Sequence, residues 1–207
     1  MPCEKIFFRG VAERAKIRRN MAEFELEPLA GALWMPVYTQ PLHEFRLRDF
    51  LTNHNIVCYL PTVPEWKIRH IKSKKGTYEY RKVVERPMFR GYLFARLRQE
   101  DKLVCWQSRS VISFLEVSEP EQNSFLKELR AVRMMEMLAR EQPLEYGSEV
   151  HEGDKFIIES GAFEGVEGRL LKKNRQFLWT VEIECLNRSI SVEIDPAKLK
   201  MRKLPSS

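Results

Sequence analysis

The chain has 207 residues, enough for one or two domains that each bury a modest core. It is 43% hydrophobic and 31% charged, and 35 Lys+Arg against 29 Asp+Glu leave +6, a balance that favours an anionic partner, nucleic acid first, without demanding one. No apolar run approaches membrane-spanning length and no apolar signal core stands at the N-terminus, so a cytoplasmic protein with no membrane contact is expected.

Residues 1–32 mix Arg14, Lys16, Arg18 and Arg19 with Glu23, Glu25 and Glu27, and Pro28 and Gly31 close the segment. Phe7, Phe8 and Val11 can seed a short helix there. The stretch reads as an irregular leader or docking tail, with a basic nucleic-acid arm as the alternative. Leu33 to Thr39 is predicted as the first strand of a domain, followed by a helix with Pro41 in its first turn. On that helix Leu47, Phe50, Leu51 and His54 form one packing stripe, while Arg46, Asp49 and Asn53 project from another face. Ile56 to Leu60 is a second strand, and the basic run Lys67 to Lys82 around Gly76 is a long solvated hairpin or loop. Pro87 to Leu97 is a strongly apolar strand whose Arg90-Gly91 marks a bulge or a close backbone approach.

Val111 to Val117 is the last strand of this part. Ser118-Glu-Pro-Glu121 has the form of a capping box opening a helix to about Arg140, with Phe125, Leu129 and Val132 as its buried stripe. Glu141 to Ser148 is a plausible linker. Beyond it Phe156 to Ile158, Val166 to Leu171, the alternating Phe177, Trp179, Val181 and Ile183, and Ile190, Val192 and Ile194 read as short strands. Short strands with one apolar face each bury it by curling into a barrel or sandwich. Gly161, Gly165 and Gly168 and the β-branched strands oppose a helical alternative. The expected fold is α+β: an N-terminal α/β sandwich with an antiparallel sheet flanked by helices, then a small all-β barrel.

Cys3, Cys58, Cys105 and Cys185 are scattered and read as reduced thiols, and His43, His54, His70 and His151 are equally dispersed. No metal cluster, paired carboxylates, His-Asp-Ser set or phosphate-cradling glycine loop stands at a recognisable spacing, so no cofactor is called for and a binding protein is expected rather than an enzyme.

The block Gly153 to Gly168, with its Gly-Ala-Phe-Glu-Gly turn, resembles the KOW motif, a module found in transcription and translation alike. Taken with Trp34, Val37-Tyr38-Thr39, then Pro87, Phe89, Gly91-Tyr92-Leu93-Phe94, then Ser110-Val111, the chain over residues 33 to 203 is similar to the NusG family of transcription elongation factors, most of all to its specialised RfaH-type paralogs. Met35, Pro36 and Arg90 depart from the family pattern. The resemblance implies an N-terminal extension (1–32), an NGN-like polymerase-binding domain (33–140), a linker (141–149) and an SH3-like KOW domain (150–203).

It further implies a monomeric factor that binds the clamp helices of RNA polymerase through Tyr38, Phe89, Tyr92 and Phe94 and suppresses pausing and termination on particular operons. Alternation puts Tyr92 and Phe94 on one face and Leu93 on the other, so contact and core roles coexist. Non-template DNA is expected at Arg46, Asn53 and Arg109, with Lys74 and Lys75 of the hairpin near upstream DNA; Gln40 and Phe50 stand at other such positions, and Phe50 also belongs to the core stripe. Gln99 to Gln107 lies where the family meets the opposite pincer of the polymerase, and Trp106 there reads as core. Phe163 and Glu164 mark the place where the KOW module meets a small-subunit ribosomal protein or the termination factor Rho. The rival readings are a housekeeping NusG-type factor coupling polymerase to Rho or the ribosome, and a KOW-type RNA- or ribosome-binding protein.

Overall fold

The computed structural model describes residues 26, 29–73, 76–140, 145–147, 155–159, 164–173, 176–194 and 199–204. The first part runs β1 (Leu33–Thr39), α1 (Glu44–Asn53), β2 (Cys58–Tyr59), β3 (Thr62–Ser73), β4 (Gly76–Pro87), β5 (Tyr92–Leu97), α2 (Gln99–Gln107), β6 (Val111–Phe114) and α3 (Gln122–Leu138). Four strands form an antiparallel sheet in the order β2-β5-β1-β6. Period-2 alternation gives that sheet two apolar faces. Met35, Val37, Leu93 and Ala95 pack with Leu47 and Leu51 of α1 and Cys105 of α2, whereas Trp34 and Phe94 pack with Phe125, Leu129 and Val132 of α3. Each such large side chain removed from water contributes roughly 1.5–3 kcal/mol, so the sheet is held from both sides.

The capping box predicted at Ser118 is present, with the Ser118 N–H donating to Glu121 Oε2 at 3.1 Å, and a single 3-10 turn, Glu119–Glu121, leads into α3. The apolar stripe of α3 falls where its periodicity places it: Phe125, Leu129 and Val132 are all buried. In α1, Pro41 sits in the turn before the helix rather than in its first turn, because Leu42 takes a left-handed φ of 65° and the helix starts at Glu44.

Other expectations change, and one helix had no expectation set for it. The strand expected over Pro87 to Leu97 breaks at Met88–Gly91, where Tyr92 N–H bonds back to Phe89 O at 3.1 Å and Gly91 adopts φ +81°, so β5 starts only at Tyr92. Gln99 to Gln107 is a helix, held at its start by Asp101 Oδ2 accepting from Arg98 N–H at 2.8 Å. Trp106 is 48% exposed instead of core, because α2 buries only Cys105 and turns its indole edge-on against Phe114.

The second sheet has six strands in the order β12-β8-β9-β10-β11-β7, formed by β7 (Glu145–Gly147), β8 (Lys155–Ile158), β9 (Glu167–Lys173), β10 (Gln176–Ile183), β11 (Arg188–Ile194) and β12 (Met201–Lys203). All its pairs are antiparallel. Its apolar side, with Ile158, Val166, Trp179 and Val192, joins the same core as α3. The helix therefore has two apolar sides: beyond the stripe facing the first sheet, Ala131, Met134, Met135 and Leu138 line a seam with the second. The polar rim of that seam carries a Lys127–Glu167 ion pair at 2.9 Å. Within the second sheet Arg169 and Glu182 form a mostly buried pair at 2.8 Å.

Candidate functional site

The aromatic set on the α3 side of the first sheet is built by cross-strand register. Tyr38 on β1 stands opposite Tyr92 on β5, one residue after Gly91. The two rings lie 5.0 Å apart, tilted by 33°. Gly91 makes the approach feasible: a Cβ there would stand 3.0 Å from Tyr38 Cε2, and its N–H donates to the buried Glu44 Oε1 at 2.7 Å. Tyr38 is 37% exposed and Tyr92 half-buried, so both rings offer surface.

Phe89 and Phe94 do not. They are buried, in edge contact with ring centroids 5.8 Å apart, and Phe94 also touches Phe125 at 5.9 Å and Tyr59 at 6.2 Å. They form the floor on which the tyrosine pair rests. Tyr59, which sequence reasoning did not single out, extends this floor; its only signal was an aromatic in the short run Ile56 to Leu60.

Tyr59 and the root of the β3–β4 hairpin are tied to α3 through one carboxylate. Glu136 accepts from Tyr59 Oη at 2.9 Å, from the Thr62 N–H at 2.9 Å and from Thr62 Oγ1 at 3.2 Å. Burial raises the Glu136 pKa, with those three donors opposing it, and burial followed by the nearby Glu136 charge pushes the Tyr59 phenol well above its ordinary value. A cleft of about 570 Å³ opens beside the tyrosine pair, between the start of α1 and the hairpin root, with Tyr38, Leu42, Glu44, Lys67 and Arg90 among its walls. Leu42 is 90% exposed at its mouth.

On α1, Arg46 and Asn53 are exposed and share a face with Asp49. Arg109 is exposed in the turn after α2 at a left-handed φ of 55°. That turn abuts the start of α1: Gln40 N–H donates to Ser110 O at 2.8 Å, and His43 Nδ1 and Ser110 Oγ lie 3.2 Å apart. The structure thus brings the Arg109 turn and the α1 N-terminus together, whereas Asn53 stands at the other end of the helix. Lys74, Lys75 and Phe163 lie outside the described residues, and Glu164 is exposed in the turn closed by Gly165 at φ +82°.

The described residues hold no group of three or more His, Cys, Asp or Glu side chains able to bind a metal ion. Burial pushes the Cys58 thiol up to about 11 and the Cys105 thiol up to about 12, so neither is a thiolate near neutral pH. No described helix is long and apolar enough to cross a membrane. What this surface can do is bind, through two half-exposed tyrosines over a rigid aromatic floor.

A family model described as "Transcription termination factor nusG" matches residues 32–135. No curated protein matches the chain. Among solved structures, a chain described as "Crystal Structure of MjSpt4:Spt5 complex conformation B" is similar at 10% identity over 84% of this chain and 100% of that one, with a TM-score of 0.27, too low to carry an argument.

Proposed function

The chain belongs to the NusG family of transcription factors, and from that premise we propose that it is a specialised, RfaH-like elongation and antitermination factor, recruited to particular operons, that seats its first domain on the RNA polymerase clamp helices. The observation that carries the reading is the Tyr38–Tyr92 pair: two aromatics 5.0 Å apart, partly open to solvent and braced by Gly91, inside the matched segment. Tyrosines bury large area at low rotamer cost, which suits a helical target. Phe89 and Phe94 act from beneath by fixing the height of the pair.

In this reading residues 33–140 are the polymerase-binding domain, 141–149 the linker and 150–203 a KOW barrel that meets a ribosomal small-subunit protein or Rho around Phe163 and Glu164. Arg46, Asn53 and Arg109 follow the exposed non-template strand, the two arginines as phosphate or guanine contacts, and Lys74 and Lys75 of the hairpin approach upstream DNA. The factor acts as a monomer and in the cytoplasm, without a cofactor.

The test is co-precipitation with the cognate RNA polymerase and in vitro transcription across pause and terminator sites, wild type against Tyr92→Ala with unchanged melting confirmed. Wild type binds and increases readthrough while the variant loses both. Failure of folded wild type to bind polymerase, with retained affinity for RNA or ribosomes, transfers the function to the second sheet and rejects this reading.

A further inference from the structure

The β3–β4 ribbon leaves an apolar stripe open on one face. Alternation sets Trp66↔Val83 and Ile68↔Arg81 as neighbours there, and Trp66 is 70%, Ile68 53% and Val83 42% exposed. Trp66 is the most open of the chain's four tryptophans. Among the described residues the two strands pair only with each other, from Thr62↔Pro87 to Ser73↔Gly76. A two-stranded ribbon is marginally stable in water by itself and gains stability once a face is packed. The described residues of its own chain supply no cover for this stripe.

Charge is divided between the two faces as well. On the face of the stripe β4 places Glu79, Arg81 and Glu85, all exposed, and Arg81 has no ion pair among the described residues. The opposite face sets Lys67 directly against Lys82, a like-charge opposition that destabilises an antiparallel pair. A second ribbon added edge to edge continues both faces ~5 Å away and brings another lysine pair alongside the first. Stacking stripe on stripe instead holds the ribbons ~10 Å apart, about one Debye length at ~0.1 M salt, with both lysine faces turned outward. It also brings Arg81 of one copy toward the acids of the other. The face is thus complementary to itself, in charge and in apolar surface.

We propose that the free chain forms a symmetric dimer in which the Trp66–Ile68–Val83 stripes of two copies pack face to face. A two-fold contact uses the same patch on both copies and closes, so association stops at two. The proximal part of the ribbon offers a face on the order of 25 Å by 10 Å. That area stands at the low end of specific interfaces, so the dimer is weak and reversible. The two tryptophans at its centre supply most of its strength, since aromatic anchors dominate contacts of this kind. The inference goes beyond the elongation-factor reading and requires neither polymerase nor nucleic acid. The pairing belongs to the free chain, and the factor at work on polymerase is still the single copy.

The test is sedimentation equilibrium of the nuclease-treated full chain over a concentration series. Wild type passes reversibly from monomer to dimer. Trp66→Ser weakens the dimer roughly tenfold or more, and Arg81→Glu, which leaves the face with one sign of charge, weakens it too. Lys82→Gln on the opposite face associates at least as tightly as wild type. Raising salt from ~0.1 M to ~0.5 M keeps or strengthens the dimer, because it screens the lysine faces and spares the apolar contact. Melting of Trp66→Ser under dilution, where every variant is a monomer, matches wild type and separates lost contact from lost fold. Should Trp66→Ser melt lower, Val83→Thr keeps the strand propensity of the ribbon and must weaken the dimer in its place. The proposal is overturned by a wild type that stays monomeric throughout, by a folded Trp66→Ser that associates like wild type, or by a dimer that added salt dissolves, the mark of a charge-bridged complex.

Discussion

The side-chain amide of Gln122 closes on the backbone of Trp34 from both directions: Oε1 accepts from the Trp34 N–H at 2.8 Å, and Nε2 donates to the Trp34 carbonyl at 2.9 Å. The reason lies in strand length. β6 pairs with β1 only from Val37 to Thr39, leaving the outer edge of Trp34 without a strand neighbour, and the first residue of α3 supplies the missing partner. Nε2 also reaches Val117 O at 3.1 Å, so one amide ties strand, loop and helix together.

Gln122→Ala leaves a buried N–H and carbonyl at Trp34 without this partner and costs roughly 1–3 kcal/mol. Chemical denaturation of the variant moves its midpoint down at unchanged slope. An unchanged midpoint means that water or a shifted β6 replaces the amide.

Gly91→Ala forces a side chain into φ +81° and places its Cβ 3.0 Å from the Tyr38 ring. The left-handed backbone alone costs about 1–2 kcal/mol, and Tyr38 must move off Tyr92. The variant melts lower and loses polymerase binding beyond what its melting temperature explains; a fall in stability with full binding shows that the pair does not need its geometry.

Gly168→Ala meets a harder obstacle, since its Cβ would stand 2.7 Å from Trp179 Cε2 and 2.8 Å from Thr180 O, a backbone atom of the neighbouring strand. Overpacking of this kind costs roughly 1–3 kcal/mol. Amide exchange in β9 and β10 speeds up while the β1–β5 pair keeps its protection, and equal loss in both sheets shows that they unfold as one unit.

The seam between α3 and the second sheet is pH-sensitive through Glu128. Its Oε2 accepts from the Glu184 N–H at 3.3 Å, and burial, followed by the charge of Glu184, pushes its pKa up to about 8, with Lys155 opposing and Glu182 adding to the rise. A carboxyl whose folded pKa exceeds its unfolded value favours the folded state most at low pH. Its contribution falls as pH rises from about 4.5 to about 8 and is level beyond that. Glu128→Gln, neutral throughout, therefore melts close to wild type near the lower limit and above it near the upper one. A difference in melting temperature that does not change with pH rejects this assignment.

Periodicity and punctuation carried a large part of the architecture. β1 matches its expected span, α3 follows from its capping box and its Phe125, Leu129 and Val132 stripe, and the alternation of Trp179, Val181 and Ile183 marks β10, because strong 2.0 and 3.6 periods leave little freedom in which face is buried. Where the period is weak the sequence is mute. α2 buries Cys105 alone and shows no stripe, and β7 and β12 have three residues each, too few to alternate.

The sequence by itself determined which residues are aromatic, which are basic and to which family the chain belongs, since side-chain type and spacing are local properties. Tertiary structure alone decided which of them face outward. Tyr38, Phe89, Tyr92 and Phe94 look equivalent along the chain, yet packing of α3 sinks both phenylalanines and leaves the tyrosines at the surface. Likewise Lys67 and Lys82 are fifteen positions apart in sequence, and only the register of β3 on β4 sets them face to face. Burial and opposition are properties of pairs of distant segments, and no window along the chain contains both members.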